Sequence, residues 1–142
     1  MDHTPSFERF RVPSDGRFDL ASIDPRDTGD VDKLVAQERL AYCTERLAEL
    51  QERLSAQDRW AVLLILQGMD ASGKDGTIKQ VFASVDPASC QVVAFKAPSS
   101  EELDHDFLWR AARALPERGR IGIFNRSYYE EVVTVRIQPE FL

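Results

Sequence analysis

The hydrophobic pattern changes period several times along the chain, and each change marks an element. Ala61-Val62-Leu63-Leu64-Ile65-Leu66 is a continuous apolar run. Such a run predicts a parallel strand covered by helices on both faces, because alternation appears only where one face meets water. After it, Ile78, Val81, Phe82 and Val85 recur at steps of three and four, which predicts a helix with one apolar stripe packed back on that strand. Before it, Leu40, Cys43, Leu47, Leu50 and Leu54 form a narrow seam on a helix predicted over about residues 31–57. The other faces of that helix are charged, and Glu49 stands four residues before Arg53, the favourable order for an ion pair. The seam packs either on the flank of the same domain or on a neighbouring subunit.

Two more strands are predicted at Gln91–Lys96 and Arg120–Phe124. Asp86-Pro87 separates the first of them from the preceding helix, since a residue before proline is driven out of helical conformation. Between the strands, Ser99 and Glu102 make a capping box. It should open one helix with Leu103, Phe107, Leu108, Ala111 and Leu115 on its apolar side, ended by Pro116. Ser127 and Glu130 make a second box, and the spacing of Tyr129, Val132, Val133 and Arg136 favours a helix there despite the β-branched run. Residues 1–29 hold several Pro and Gly and no sustained period, which reads as a wrapping or partly ordered arm. Residues 30–142 read as one α/β domain with a parallel sheet.

Between the first strand and its helix lies Gly68-Met69-Asp70-Ala71-Ser72-Gly73-Lys74-Asp75-Gly76. This is the G-x-x-x-x-G-K spacing, in which successive backbone amides wrap a phosphate and the lysine ammonium reaches its outer oxygens. Its place at a helix N-terminus adds unpaired amide hydrogens and the positive end of the helix dipole. Small residues, Ala71 and Ser72, keep the loop narrow. Asp75 stands where Ser or Thr usually presents a hydroxyl to Mg²⁺; it would hold the metal, directly or through water, or simply favour the first helical turn. Asp70, inside the loop, makes sense if Mg²⁺ sits between it and the phosphates or if it polarises an attacking phosphate oxygen; otherwise it bonds loop amides. Lys96, at the carboxyl end of the second strand, should face the same cleft as Lys74 or else be an ordinary surface lysine. Arg110 would clamp phosphate with its planar donors or serve the structure. His105, between Asp104 and Asp106, reads as a surface side chain before it reads as a base. Asn125 occupies the strand end where a P-loop kinase normally carries an acid that orients Mg²⁺, and Arg126 beside it would present a guanidinium to a transferring phosphoryl group.

Composition narrows the picture. With 142 residues, 43% of them hydrophobic, the chain has room for one domain with a modest core. No apolar run approaches the roughly eighteen residues that span a bilayer, and the first residues lack the basic-then-apolar pattern of a secretion signal. Cys43 and Cys90 have no metal-ligand spacing and are expected as reduced, buried thiols of a cytoplasmic protein. A net charge of −6 argues against general nucleic-acid binding. The charge is uneven: residues 1–67 carry thirteen acidic and nine basic side chains, whereas residues 68–126 carry eight of each. A locally basic cleft in an acidic protein suits a polyanionic substrate.

Three ordered blocks, Gly68 to Gly76, Phe95-Lys96-Ala97-Pro98-Ser99 with Glu101 to Arg110, and Phe124-Asn125-Arg126-Ser127-Tyr128-Tyr129-Glu130, together resemble the polyphosphate kinase 2 family. The resemblance covers about residues 31–142. It implies a three-layer P-loop kinase fold related to thymidylate kinases, here its N-terminal half only, because family members continue past Leu142 into further strands and a basic helical lid. It also implies Mg²⁺ and reversible transfer of a terminal phosphoryl group between inorganic polyphosphate and a nucleoside mono- or diphosphate, AMP or ADP first among them. By the same resemblance Asp70 and Lys74 are the catalytic loop pair, Asp70 the metal ligand, and Lys96, Arg110, Arg126 and Arg136 hold phosphates alongside the loop residues Gly68, Met69, Ala71, Ser72, Gly73, Asp75 and Gly76. Asn125 replaces an Asp found in some branches and looks like the branch that accepts AMP as well as ADP. A homo-oligomer without membrane or nucleic-acid partners is expected. An ATP-dependent nucleoside monophosphate kinase and a non-catalytic phosphate-binding fragment are the competing readings.

Overall fold

Ile121–Asn125 is the most deeply buried stretch of the chain: Ile123 is 0% exposed and Phe124 1%. In the computed structural model this strand, β3, lies between β1 (Val62–Leu66) and β2 (Cys90–Ala94), and both pairings are parallel. The structure describes residues 11–29, 31–69 and 71–129. By internal contacts the chain divides into two compact units, Met1–Cys43 and Thr44–Leu142.

In the first unit, residues 11–28 are exposed. Their turns are made locally: the side chains of Asp15, Asp19, Asp24 and Asp27 each accept from the backbone N–H two residues on, the Asx geometry that replaces a missing secondary-structure partner. Helix α1 runs Lys33–Gln57, close to its predicted bounds, with its residues from Thr44 on belonging to the second unit. Its inward seam differs from the expected one. Leu40, Cys43, Leu47 and Leu54 are half-buried, but Gln51 is buried at 3% while Leu50 is 47% exposed, so Gln51 takes the place expected for Leu50, in the 3.6-residue period of a straight helix. Glu49 pairs with Arg46 rather than with Arg53.

In the second unit, β1 is not covered on both faces as its apolar run suggested; Val62 and Ile65 are 48% and 40% exposed. Among the described residues β1 and β2 each pair on one side only, with β3, and this sets the contrast in burial. Helix α2 (Lys74–Val81) follows the loop, and its stripe faces inward as predicted, Ile78, Val81 and Phe82 half-buried and Val85 buried. A 3-10 turn at Pro87–Ser89, capped by the Asp86 side chain, leads into β2.

The single helix expected after Ser99 is two: α3 (Ser100–Leu103) and α4 (Trp109–Arg113). The capping box opens α3 as predicted, with both reciprocal bonds present. The interruption comes from side chains that offer the backbone other partners. Asp106 accepts from Leu108 N at 2.9 Å with its carboxylate and from Trp109 N at 2.8 Å with its carbonyl, and so starts a new helix. The presumed apolar side is consequently rotated: Leu103, Phe107, Leu108 and Leu115 are exposed, while Arg110 and Ala111 are buried. Ala111 packs with Phe95 and Phe124, the two rings meeting edge to face at 4.8 Å, and Leu63, Val93, Ala114 and Tyr128 surround them. On the same face of β3, a Cβ at Gly122 would come within 2.8 Å of the Pro116 ring, so glycine is what lets the strand pass beneath that proline.

Candidate active site

The parallel register aligns the carboxyl ends of all three strands: Leu66 of β1 and Ala94 of β2 both stand level with Asn125 of β3. The loops that follow therefore emerge side by side, the arrangement in which open α/β sheets bind ligands. They enclose a cleft of about 550 Å³ lined by Ala71 to Gly76, by Ala94 to Ala97, and by Asn125 and Arg126.

The loop between β1 and α2 has the conformation its sequence promised. Gly73 caps α2 at φ +92°, where a side chain would be strained, and Ala71 also adopts positive φ, +61°. Residues Gly73 to Gly76, the first turn of α2 and its cap, line the cleft, and the amides of a first helical turn have no partners within the helix. Lys74 folds over the loop, its ammonium donating to the Gly68 carbonyl at 2.5 Å, the Met69 carbonyl at 2.8 Å and Ser72 Oγ at 3.3 Å. Those acceptors hold the charge at the rim of the cleft.

Asp75 and Asn125 meet across the cleft floor, Asn125 Nδ2 donating to Asp75 Oδ1 at 2.5 Å. The other end of that amide, Oδ1, is buried with no partner among the described residues. The exposed Asp75 carboxylate, held in place by that amide, lines the cleft and is an oxygen ligand suited to a hard cation such as Mg²⁺, which keeps several waters. Among the described residues no three His, Cys, Asp or Glu cluster as a preformed metal cage.

Lys74 and Lys96 share the cleft, as expected, and Asn125 and Arg126 close its far side. Gly68 and Met69 lie off its wall, Met69 being 85% exposed. Arg110 lines not this cleft but an adjoining cavity of about 470 Å³ that shares Ala94 to Ala97 with it. There its guanidinium donates to the Lys96 carbonyl at 2.8 Å, approaches Glu102 at 3.7 Å and lies over the Phe95 ring at 5.0 Å. Glu102 accepts from Ser99 N at 2.7 Å; that bond is the main cause that holds its carboxyl below the usual range, opposed by burial, which comes second, and helped by the charge of Arg110, the Ser99 side chain and then the charge of Arg113. His105 is exposed, its Nδ1 bonded to the Glu101 carbonyl and its ring stacked on Trp109 at 3.9 Å. Both cysteines are free, but each is half-buried and not buried as expected; partial burial pushes the Cys90 thiol up. Asp70, Arg136 and the capping partner Glu130 lie outside the described residues.

One contact had no sequence signal. Gln67, the residue before Gly68, accepts through Oε1 from both Ser127 N and Ser127 Oγ, at 3.2 and 2.6 Å. A glutamine at a strand end is uninformative until the strand sixty residues on is placed beside it.

A parallel sheet with a glycine-rich loop, a lysine at the head of the following helix, and basic side chains at the neighbouring strand ends defines a P-loop kinase fold. Comparison with known proteins specifies which: the family described as Polyphosphate kinase 2 matches residues 30–141, and the chain belongs to that family. It is 52% identical over 136 residues to the ADP-polyphosphate phosphotransferase of Rhodopseudomonas palustris, covering 95% of this chain and 47% of that protein. It is 46% identical to the AMP/ADP-polyphosphate phosphotransferase of Meiothermus ruber, covering 92% and 50%. Among solved structures, polyphosphate kinase 2 from Arthrobacter aurescens superposes with a TM-score of 0.86 at 42% identity over 94% of this chain and 48% of that one. The chain thus spans about half the length of the relatives it matches.

Proposed function

We propose that this chain carries the phosphate-binding half of a polyphosphate-dependent nucleotide phosphotransferase, moving a terminal phosphoryl group between inorganic polyphosphate and AMP or ADP. The convergence of Lys74, Lys96 and Arg126 on one cleft at the head of α2 carries the reading. The printed names of the relatives, which join polyphosphate to AMP and ADP, support the substrates.

Phosphoryl transfer asks for little covalent chemistry, so positioning and charge stabilisation do most of the work. The α2 amides and Lys74 bind non-bridging oxygens of the donor chain. Lys96, opposite, holds the next phosphate and keeps the chain in line. Arg126 offsets charge that develops on the equatorial oxygens of the group in flight. Arg110, engaged with the Lys96 carbonyl, fixes the segment that presents Lys96. Asp75, held by the Asn125 amide, would bind Mg²⁺ together with Asp70; when bound, that ion neutralises phosphate charge and orients the leaving and attacking oxygens. Assembly as a homo-oligomer, for which the exposed Leu50 of α1 offers apolar surface, and a cytoplasmic location, in keeping with two free cysteines, belong to the same proposal. No helix among the described residues is long and apolar enough to cross a membrane.

Lys74→Ala tests it. In the full-length protein, turnover with polyphosphate should fall on the order of a hundredfold or more while the circular dichroism spectrum is unchanged. A folded Lys74→Ala enzyme with normal turnover refutes the site, and a wild type that uses ATP but not polyphosphate as donor refutes the substrate.

A further inference from the structure

Where β3 ends, the backbone takes a conformation its residue does not favour. Arg126 has φ +79°. A residue with a side chain holds such an angle only where the surroundings over-determine it, and such outliers concentrate at functional sites. Two anchors impose it here. Arg126 N–H donates to the Leu66 carbonyl at 3.1 Å, and the amide and hydroxyl of the next residue, Ser127, both end on Gln67 Oε1. Ser127 is 2% exposed, so both of its donors have exchanged water for that one oxygen, and its Oγ in turn accepts from Tyr129 N at 3.1 Å. Leu66 and Gln67 are the last residues before the phosphate loop. The turn that carries Arg126 is therefore set by the same two residues that launch the loop, and the strap fixes the spacing of the two sides of the cleft.

We infer that Gln67 is a positioning residue for phosphoryl transfer: it holds the Arg126 turn in its left-handed form so that the guanidinium faces the phosphates bound by the loop. The inference rests on the cleft being the transfer site. The side chain has to be long enough to reach Ser127 and has to end in an acceptor that takes two donors at once; leucine matches the size and lacks the acceptor. Because a displaced arginine is missed mainly in the transition state, the loss should appear in kcat and not in KM.

The experiment is a double-mutant cycle on transfer from polyphosphate in the full-length protein. Gln67→Leu should lower kcat about ten- to a hundredfold, the range that small misplacements of a catalytic group produce, with KM for polyphosphate within about twofold. Arg126→Ala should lower kcat on the order of a hundredfold, and adding Gln67→Leu to it should cost nothing further, since neighbours acting through one group are not additive. A Gln67→Leu enzyme with wild-type kcat overturns the inference, and so does a second full loss in the Arg126→Ala background, which is what a purely structural role would give. Should Gln67→Leu not fold, Ser127→Ala, which removes one of the two bonds, is read in the same cycle by the same criteria. A wild type inactive with polyphosphate brings down the functional reading and this inference with it; an active wild type with additive losses brings down this inference alone.

Discussion

Glu102 does two things with one carboxylate. It closes the capping box at the start of α3 by accepting from Ser99 N, and it faces the buried guanidinium of Arg110 at 3.7 Å. Its folded-state pKa is depressed, so its contribution to stability is complete above the unfolded glutamate value, about 4.3, and is lost as pH falls through the lower folded value. Glu102→Gln separates the two duties, because glutamine still accepts from the Ser99 amide but carries no charge for Arg110. The stability difference between wild type and Glu102→Gln, from denaturant unfolding at a series of pH values, should be constant from pH 7 down to about 5 and shrink toward zero below about 4. A difference that stays constant to pH 3 would mean that the charge contributes nothing. In the sequence Arg110 reads equally as a phosphate clamp or a structural guanidinium, and its contacts with the Lys96 carbonyl and the Phe95 ring appear only in the tertiary structure.

Elements were readable where a single local cause decides them. The loop before α2, the capping box of α3 and the Asp86-Pro87 break are each written in a few adjacent residues, and each stands as expected. The helix expected after Ser99 is split, because its apolar spacing satisfies a helical period through a stretch where Asp106 offers the backbone better local partners. Gly122 shows the converse. Within β3 it is a poor strand residue by propensity, and only the Pro116 ring explains it. Gly122→Ala should destabilise by about 1–3 kcal/mol, the usual cost of overpacking, as read from the denaturation midpoint at unchanged slope. An unchanged midpoint would show that the Pro116 segment yields at no cost.

On the scale of the whole molecule, β3 is what holds the second unit together. It pairs on both sides, supplies the most buried side chains and ends in Asn125, which with Arg126 directly after it lines the cleft. Phe124→Ala should cost about 3–5 kcal/mol, the range for removing a buried aromatic ring, and the loss should be visible as an early unfolding transition. Since Asn125 and Arg126 follow directly, a folded remnant should also bind polyphosphate more weakly, measured by calorimetry. Wild-type stability in Phe124→Ala would mean that the core lies elsewhere.

The sequence alone determined the chemistry of the loop, since Gly68 to Gly76 between an apolar run and an apolar stripe can do little but fold as strand, loop and helix, and short-range geometry is all that a backbone anion site requires. It also marked Lys74 at the head of a helix and Lys96 and Arg126 at strand ends. Tertiary structure decided what those ends face. The order β1-β3-β2, the pairing of Asp75 with Asn125 and the reach of Gln67 to Ser127 join residues fifty and sixty positions apart. Contacts at that separation depend on strand register, which no local pattern encodes.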